Sequence, residues 1–223
     1  MQTSRLTRKA SAELTRRKLI DGAIELLRRD GVAAATTGRI ASAAGLKQPS
    51  FYVHFDDRDQ VFEAAAVEIG RRVMEILRRQ LTDVDLAHPQ RSIRAGYAAM
   101  TQAFLSEPEL TRLFLRHRID DGTVLGRTFR RLLDEAREQM VDAVARYGVV
   151  VPRPVAEAHS ELLVAGVLGL LEGLVDGRLR DREAAVDAIS NVTIAMFRSL
   201  SRDRNGAAPA TAAAGRSRPK DQK

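Results

Sequence analysis

The chain has 223 residues, 44% of them hydrophobic, with 36 Lys and Arg against 29 Asp and Glu for a formal net charge of +7. That length makes one large domain or two small ones, and the apolar share can bury a core, which excludes wholesale disorder. The absence of Cys excludes a disulfide framework and a thiolate nucleophile, and fits a reducing compartment. Positive charge gathers at Arg5, Arg8, Lys9, Arg16, Arg17 and Lys18, and again at Arg202, Arg204, Arg216, Arg218, Lys220 and Lys223. Such clusters favour polyanionic partners, although a merely solvated surface has the same composition. Met1 to Lys18 lacks the apolar stretch of a signal peptide, and the run from Leu162 to Leu171 is short for a bilayer span. A cytoplasmic protein without a membrane partner is expected.

Helical periodicity dominates from the start. Ile20, Ala23, Ile24 and Leu27 recur at helical spacing, predicting a helix from about Ala12 to Asp30 that stops at Gly31. Thr36 and Thr37 offer an N-cap for a short helix ended by Gly45. A second short helix follows from about Gln48 to His54, with Pro49 in its first turn, where a missing N–H costs little. Asp56 or Asp57 caps a long helix carrying Val61, Phe62, Ala65 and Ile69. Further helices are expected after Pro89, after Pro108, from Gly122 to Arg146, from Pro152 to about Gly177, and from Arg182 to Leu200. Val149 to Val151 reads as a packed loop. The expected fold class is all-α with about nine helices. Residues 1–60 would form a three-helix unit with a basic N-terminal arm, 61–201 a second helical domain, and 202–223 a disordered basic tail.

The segment TTGRIASAAGLKQPSFYVHF, from Thr36 to Phe55, carries the chemistry. A helix-turn-helix needs small residues where its helices cross, supplied by Ala41 and Ala44. It also needs a turn residue tolerant of positive φ, supplied by Gly45. Ile40, Leu46, Phe51 and Phe55 would lock the second helix in place. The outward positions Lys47, Gln48, Pro49, Ser50, Tyr52 and His54 would then meet the major groove of double-stranded DNA. Two core helices joined by a Gly turn satisfy the same spacing.

From Leu14 to Ala66 the sequence resembles the TetR family of bacterial regulators. The resemblance lies in the ordered run R-R-D-G, T-T-x-x-I-A-x-A-A-G-L, S-F-Y-x-H-F, an acidic cap, a basic residue and Phe62. It implies a homodimer that binds a palindromic operator and responds to a small effector, most often as a repressor. It implies phosphate contacts from Thr37, Tyr52, His54, Lys47 and Arg58, the last standing where the family more often has Lys. Gln48 and Ser50 become candidates for base edges and Pro49 for a thymine methyl. Arg39 points outward nearby, toward phosphate or solvent.

The remainder shows no catalytic signature. His54, His88, His117 and His159 never stand four residues apart, and there is no nucleophile elbow or phosphate-binding loop. Asp120 and Asp121, like Asp56 and Asp57, precede a helix and read as caps. No metal and no cofactor are expected. Met74, Tyr97, Met100, Phe104, Leu113, Phe114, Phe129, Leu133, Leu163 and Val167 sit on helices expected to converge, with His117 as a polar anchor. They read either as ordinary core or as the wall of a pocket for an apolar small-molecule effector. A weaker echo of the family branch regulating fatty-acid synthesis points to an acyl-CoA. Gly166, Gly169 and Gly173 lie near one face of an otherwise apolar helix. With Leu170 and with Ala188, Val192 and Met196 of the last helix they would build a dimer interface. The competing reading is a helical enzyme or carrier with an incidental basic surface, which has no reason to present the run from Thr36 to Phe62.

Overall fold

A computed structural model describes residues 2–82, 84–85, 87–146 and 151–206. Those residues form nine helices and no strand: α1 (Gln2–Asp30), α2 (Thr37–Ala43), α3 (Gln48–Phe51), α4 (Arg58–Thr82), α5 (Pro89–Leu105), α6 (Pro108–His117), α7 (Val124–Arg146), α8 (Arg153–Val175) and α9 (Arg182–Gly206). The expected all-α class holds. Three ends differ most from expectation, the first being that of α3, which stops at Phe51 rather than near His54. α1 begins at Gln2 rather than near Ala12, because nothing in its first turns breaks a helix. The periodic signal starts late because, among the residues whose burial is described, the first buried one is Leu19. α9 continues past Leu200 to Gly206, so residues 202–206 are helical; the rest of the expected tail, 207–223, lies outside the described residues. So do residues 149 and 150 of the expected packed loop.

The helix ends follow local chemistry. Gly31 and Gly45 take φ of +77° and +71°, and Leu46 N–H closes the end of α2 on Ala41 O at 2.8 Å. Thr36, not Thr37, caps α2 by accepting from Arg39 N–H. Asp57 caps α4: its carboxylate accepts from Gln60 N–H at 2.8 Å, and the side-chain Oε1 of Gln60 accepts from Asp56 N–H at 3.1 Å. Thr123, rather than Asp120 or Asp121, caps α7 by accepting from Gly126 N–H, while Asp120 binds Gly122 N–H within the turn. Proline opens α5, α6 and α8 in their first turns.

One apolar core runs from Leu19, Ala23 and Leu26 of α1 through Ile40, Phe51, Phe55 and Phe62. It continues without a break into Leu113 and Phe114 of α6 and Phe129 of α7. The N-terminal helices are thus seated on α6 and α7. α4 crosses the whole molecule and packs most extensively on α7. Arg17 of α1 binds Glu68 of α4 through two hydrogen bonds at 2.8 and 3.1 Å, and Arg131 of α7 reaches Glu63 at 2.7 Å. Desolvation pushes the Glu68 carboxyl up, but hydrogen bonds from Arg17 and Arg71 outweigh it and hold the group below its ordinary value. A second, smaller core joins Tyr97, Leu163, Val186 and Ile189. Among the described helices α8 alone is long and apolar enough to cross a membrane, a test that core helices of other proteins also pass. Here it packs against α5, α6, α7 and α9.

Candidate nucleic-acid interface and effector cavity

The reading surface is built from α2, α3 and the turn that follows. Phe51 and Phe55 are buried and anchor α3, leaving Lys47, Gln48, Pro49 and Tyr52 exposed and Ser50 and His54 half-buried on one side. Because Thr36 takes the cap, the Thr37 hydroxyl is released outward. It lies 3.3 Å from the Tyr52 hydroxyl and accepts from the Gln48 amide at 3.2 Å. Gln48 therefore braces Thr37 and Tyr52 in the free protein rather than standing clear. Arg39 is turned the other way: it is ion-paired with Asp30 and donates to Ala34 O at 3.1 Å, tying α2 to the end of α1. Arg29 also binds Asp30. Its hydrogen bond, with help from Arg39, outweighs desolvation and holds the Asp30 carboxyl down to about 2. Arg58 stands at the N-terminus of α4 with its guanidinium 5.3 Å from the Phe62 ring centroid.

One residue and one contact of this surface are not evident from the sequence. Val53 is 78% exposed, the most exposed large apolar residue described. Its only mark there is its place as the one variable position inside S-F-Y-x-H-F. Arg16 stacks 4.8 Å above Phe55 from α1, a contact between residues 39 apart that no local pattern reveals.

The far end of α4 and helices α5, α7, α8 and α9 line an open-sided cavity of about 1030 Å³. Ile76, which lines it, is eighteen residues along α4 from Arg58, or about 27 Å at the helical rise. Of the residues assigned to a pocket, Tyr97, Met100 and Leu163 line this cavity and Val167 packs beside them. Phe104, Leu113, Phe114, Phe129 and Leu133 are placed elsewhere, in the core under α1 and α4. There Phe114 packs edge-on to Phe129 with ring centroids 5.1 Å apart. Met74 is half-buried on α4 and His117 lies at the end of α6, neither of them at the cavity. Burial pushes the His117 ring below its ordinary pKa, with Arg116 assisting and Asp120 opposing, so the neutral ring is favoured. Met140, Met196 and the start of α5 complete the wall. In its depth the Tyr97 hydroxyl meets the Thr193 hydroxyl at 2.8 Å, and Thr193 donates to Ile189 O. Burial raises the Tyr97 phenol and that hydrogen bond partly offsets the rise.

The residues assigned to a dimer interface separate in the same way. Gly169, Ala188 and Val192 are exposed. Gly166 faces Ile189 of its own chain, where an added Cβ would come within 3.1 Å of the Cδ1 atom. Gly173 is closed over by Leu179, Leu170 packs on the second core and Met196 lines the cavity. The exposed apolar face of α8 is instead a stripe of Val155, Ala158, Leu162, Ala165 and Gly169, at alternating spacings of three and four. Leu162 is 65% exposed on it, and Val192 on α9 is 51% exposed.

Residues 19–65 match the family of bacterial regulatory proteins named tetR. The class D tetracycline repressor of Escherichia coli is 40% identical over 61 residues, 27% of this chain and 28% of the repressor, so the match spans under a third of that relative. The transcriptional regulator SrpR of Pseudomonas putida is 23% identical over 200 residues, covering 87% of this chain and 88% of SrpR. Among solved structures, the complex of SmeT with triclosan superposes with a TM-score of 0.64 at 25% identity, covering 80% of this chain and 90% of SmeT. The helix-turn-helix of residues 19–65 is therefore one of the tetR type of bacterial regulatory proteins, carried on an all-helical body with the fold of SmeT.

Proposed function

We propose that this chain is a cytoplasmic transcriptional repressor that binds a palindromic operator as a homodimer and releases or tightens its grip when an apolar small molecule enters the distal cavity. The observation that carries the reading is the outward surface of α2 and α3, where Thr37, Lys47, Gln48, Pro49, Ser50 and Tyr52 share one face above a buried anchor, Phe51. On DNA, Thr37, Lys47, Tyr52, His54 and Arg58 hold phosphates; Gln48, Ser50 and Pro49 meet base edges once Gln48 exchanges Thr37 for a base. Arg39 is a weaker candidate, since Asp30 already neutralises it. Homodimerisation is supported by the unpartnered stripe on α8 and by Ala188 and Val192 on α9, which together resemble one half of a four-helix interface. An effector is supported by the cavity and by the triclosan bound to SmeT.

The test is to select duplexes from a random-sequence pool with the full chain, then to titrate the enriched site against scrambled duplex by anisotropy at several salt concentrations. A regulator prefers its site by about 10³-fold or more. Equal, weak and steeply salt-dependent binding to all duplexes would identify an incidental basic surface instead.

A further inference from the structure

The distal cavity has a charge pattern that the effector reading does not use. Its depth is mostly apolar, with Leu77, Val144, Ala156 and Leu163 buried, and its buried hydroxyls, on Tyr97, Ser160 and Thr193, are already hydrogen-bonded within the chain. Its rim is exposed and basic: Arg91 near the start of α5 and Arg198 near the end of α9, with His88 beside them. Among the described residues that line the cavity none is Asp or Glu. The nearest acid described before α5, Asp85, is already engaged: it accepts from Ala87 N–H at 2.9 Å and pairs with the His88 ring at 3.0 Å. Arg91 and Arg198 make no salt bridge among the described residues. The first turn of α5 has no side-chain cap, so its backbone N–H groups add positive potential at the same rim.

Each feature narrows the ligand. A cation would lose its hydration in the cavity and meet two guanidiniums with no carboxylate among the described lining residues to balance it. A wholly apolar molecule would leave the cationic rim unused. Three methionines, Met100, Met140 and Met196, give the wall a flexible, polarisable lining that follows a bending chain better than it grips a rigid ring system. Resting on the effector reading above, we propose that the cavity takes a single-chain amphiphile with an anionic head group. The alkyl chain lies in the buried depth, and the head stays at the rim that Arg91 and Arg198 share. A volume near 1030 Å³ is at the upper end of the ~300–1,000 Å³ usual for small-molecule sites, ample for such a chain.

The experiment is calorimetric titration of the full chain, without DNA, with dodecanoate, dodecanol, dodecylamine and dodecanoyl-CoA, each below its micelle concentration. Dodecanoate is expected to bind at least about tenfold tighter than dodecanol, the worth of one charge-assisted contact, and dodecylamine weaker than either. In the double variant Arg91→Gln, Arg198→Gln that preference falls to near unity while dodecanol binds as before. A CoA thioester tighter than the free acid assigns the anion to phosphate, and the reverse order assigns it to carboxylate; both preferences vanish in the double variant. Dodecanol binding as tightly as both anions, dodecylamine binding tightest, or a preference surviving in the double variant overturns the head-group assignment but leaves the apolar cavity standing. Binding by none of the four, with Leu163→Trp indistinguishable from the wild type, overturns the effector cavity as well.

Discussion

Tyr52, Thr37 and Gln48 form a small hydrogen-bonded cluster on the surface, in which Tyr52 and Thr37 are the proposed phosphate contacts and Gln48 the proposed base contact. Tyr52→Phe removes a neutral donor to phosphate. Affinity should fall by about 0.5–1.5 kcal/mol for every duplex alike, with the salt slope and base preference unchanged. Lys47→Ala should likewise weaken binding uniformly, but lower the salt slope by about one unit, since one counterion fewer is released. Anisotropy titrations on two unrelated duplexes at several salt concentrations check both, and a change in base preference with Tyr52→Phe would remove it from the backbone contacts. These residues were legible in the sequence because a helix-turn-helix is a local motif: its turn Gly, its anchors and its outward positions lie within twenty consecutive residues. What the motif could not say was which Thr caps α2, or that Asp30 draws Arg39 away from the surface. Those outcomes depend on side-chain partners brought in from α1 and from the turn after it.

At the scale of elements, the stripe on α8 makes a direct prediction. Leu162→Glu places a charge on an exposed face, so the monomer should fold unchanged by circular dichroism. Sedimentation velocity should find it monomeric at concentrations where the wild type is dimeric. A wild type that is itself monomeric at micromolar concentration would remove the interface. The junction of α1 and α2 makes another. Asp30 titrates at about 2 in the folded chain and near 3.9 when unfolded. Its folded pKa is depressed, so its stabilisation is complete above about pH 4 and is lost as the pH falls from there toward 2. Urea midpoints between pH 2 and 5 should show this acid limb, and Asp30→Asn should flatten it. Helix number and order were readable because caps, prolines and 3.6-residue periodicity are local. The pocket was not. Large apolar residues announce burial but not the neighbour they bury against, so Phe104, Phe114 and Phe129 read the same as Tyr97, Met100 and Leu163. Only packing separates the solid core under α1 from the hollow one between α5, α8 and α9.

Across the whole molecule, α4 is one continuous helix with Arg58 beside the reading surface and Ile76 and Leu77 at the cavity. In the proposed dimer, a ligand that tilts its far end would shift its near end, and with it the spacing of the two reading helices, which on a palindromic operator must match one duplex turn of about 34–36 Å. Only the difference in ligand affinity between the two tilts moves the equilibrium, so effector and operator affinities should be linked by one reciprocal factor. Leu163→Trp, which fills the cavity, should bring that factor toward one while leaving operator affinity without effector unchanged, as read by parallel titrations with and without dodecanoate. An undiminished factor in the filled variant would place the coupling elsewhere. The way α3 is attached has a different kind of consequence. Phe51 is its one buried side chain, whereas Lys47, Gln48 and Pro49 are exposed. After a gene duplication, those outward positions are free to drift while the helix stays anchored. Operator choice can therefore diverge between sister copies far faster than the fold that presents it.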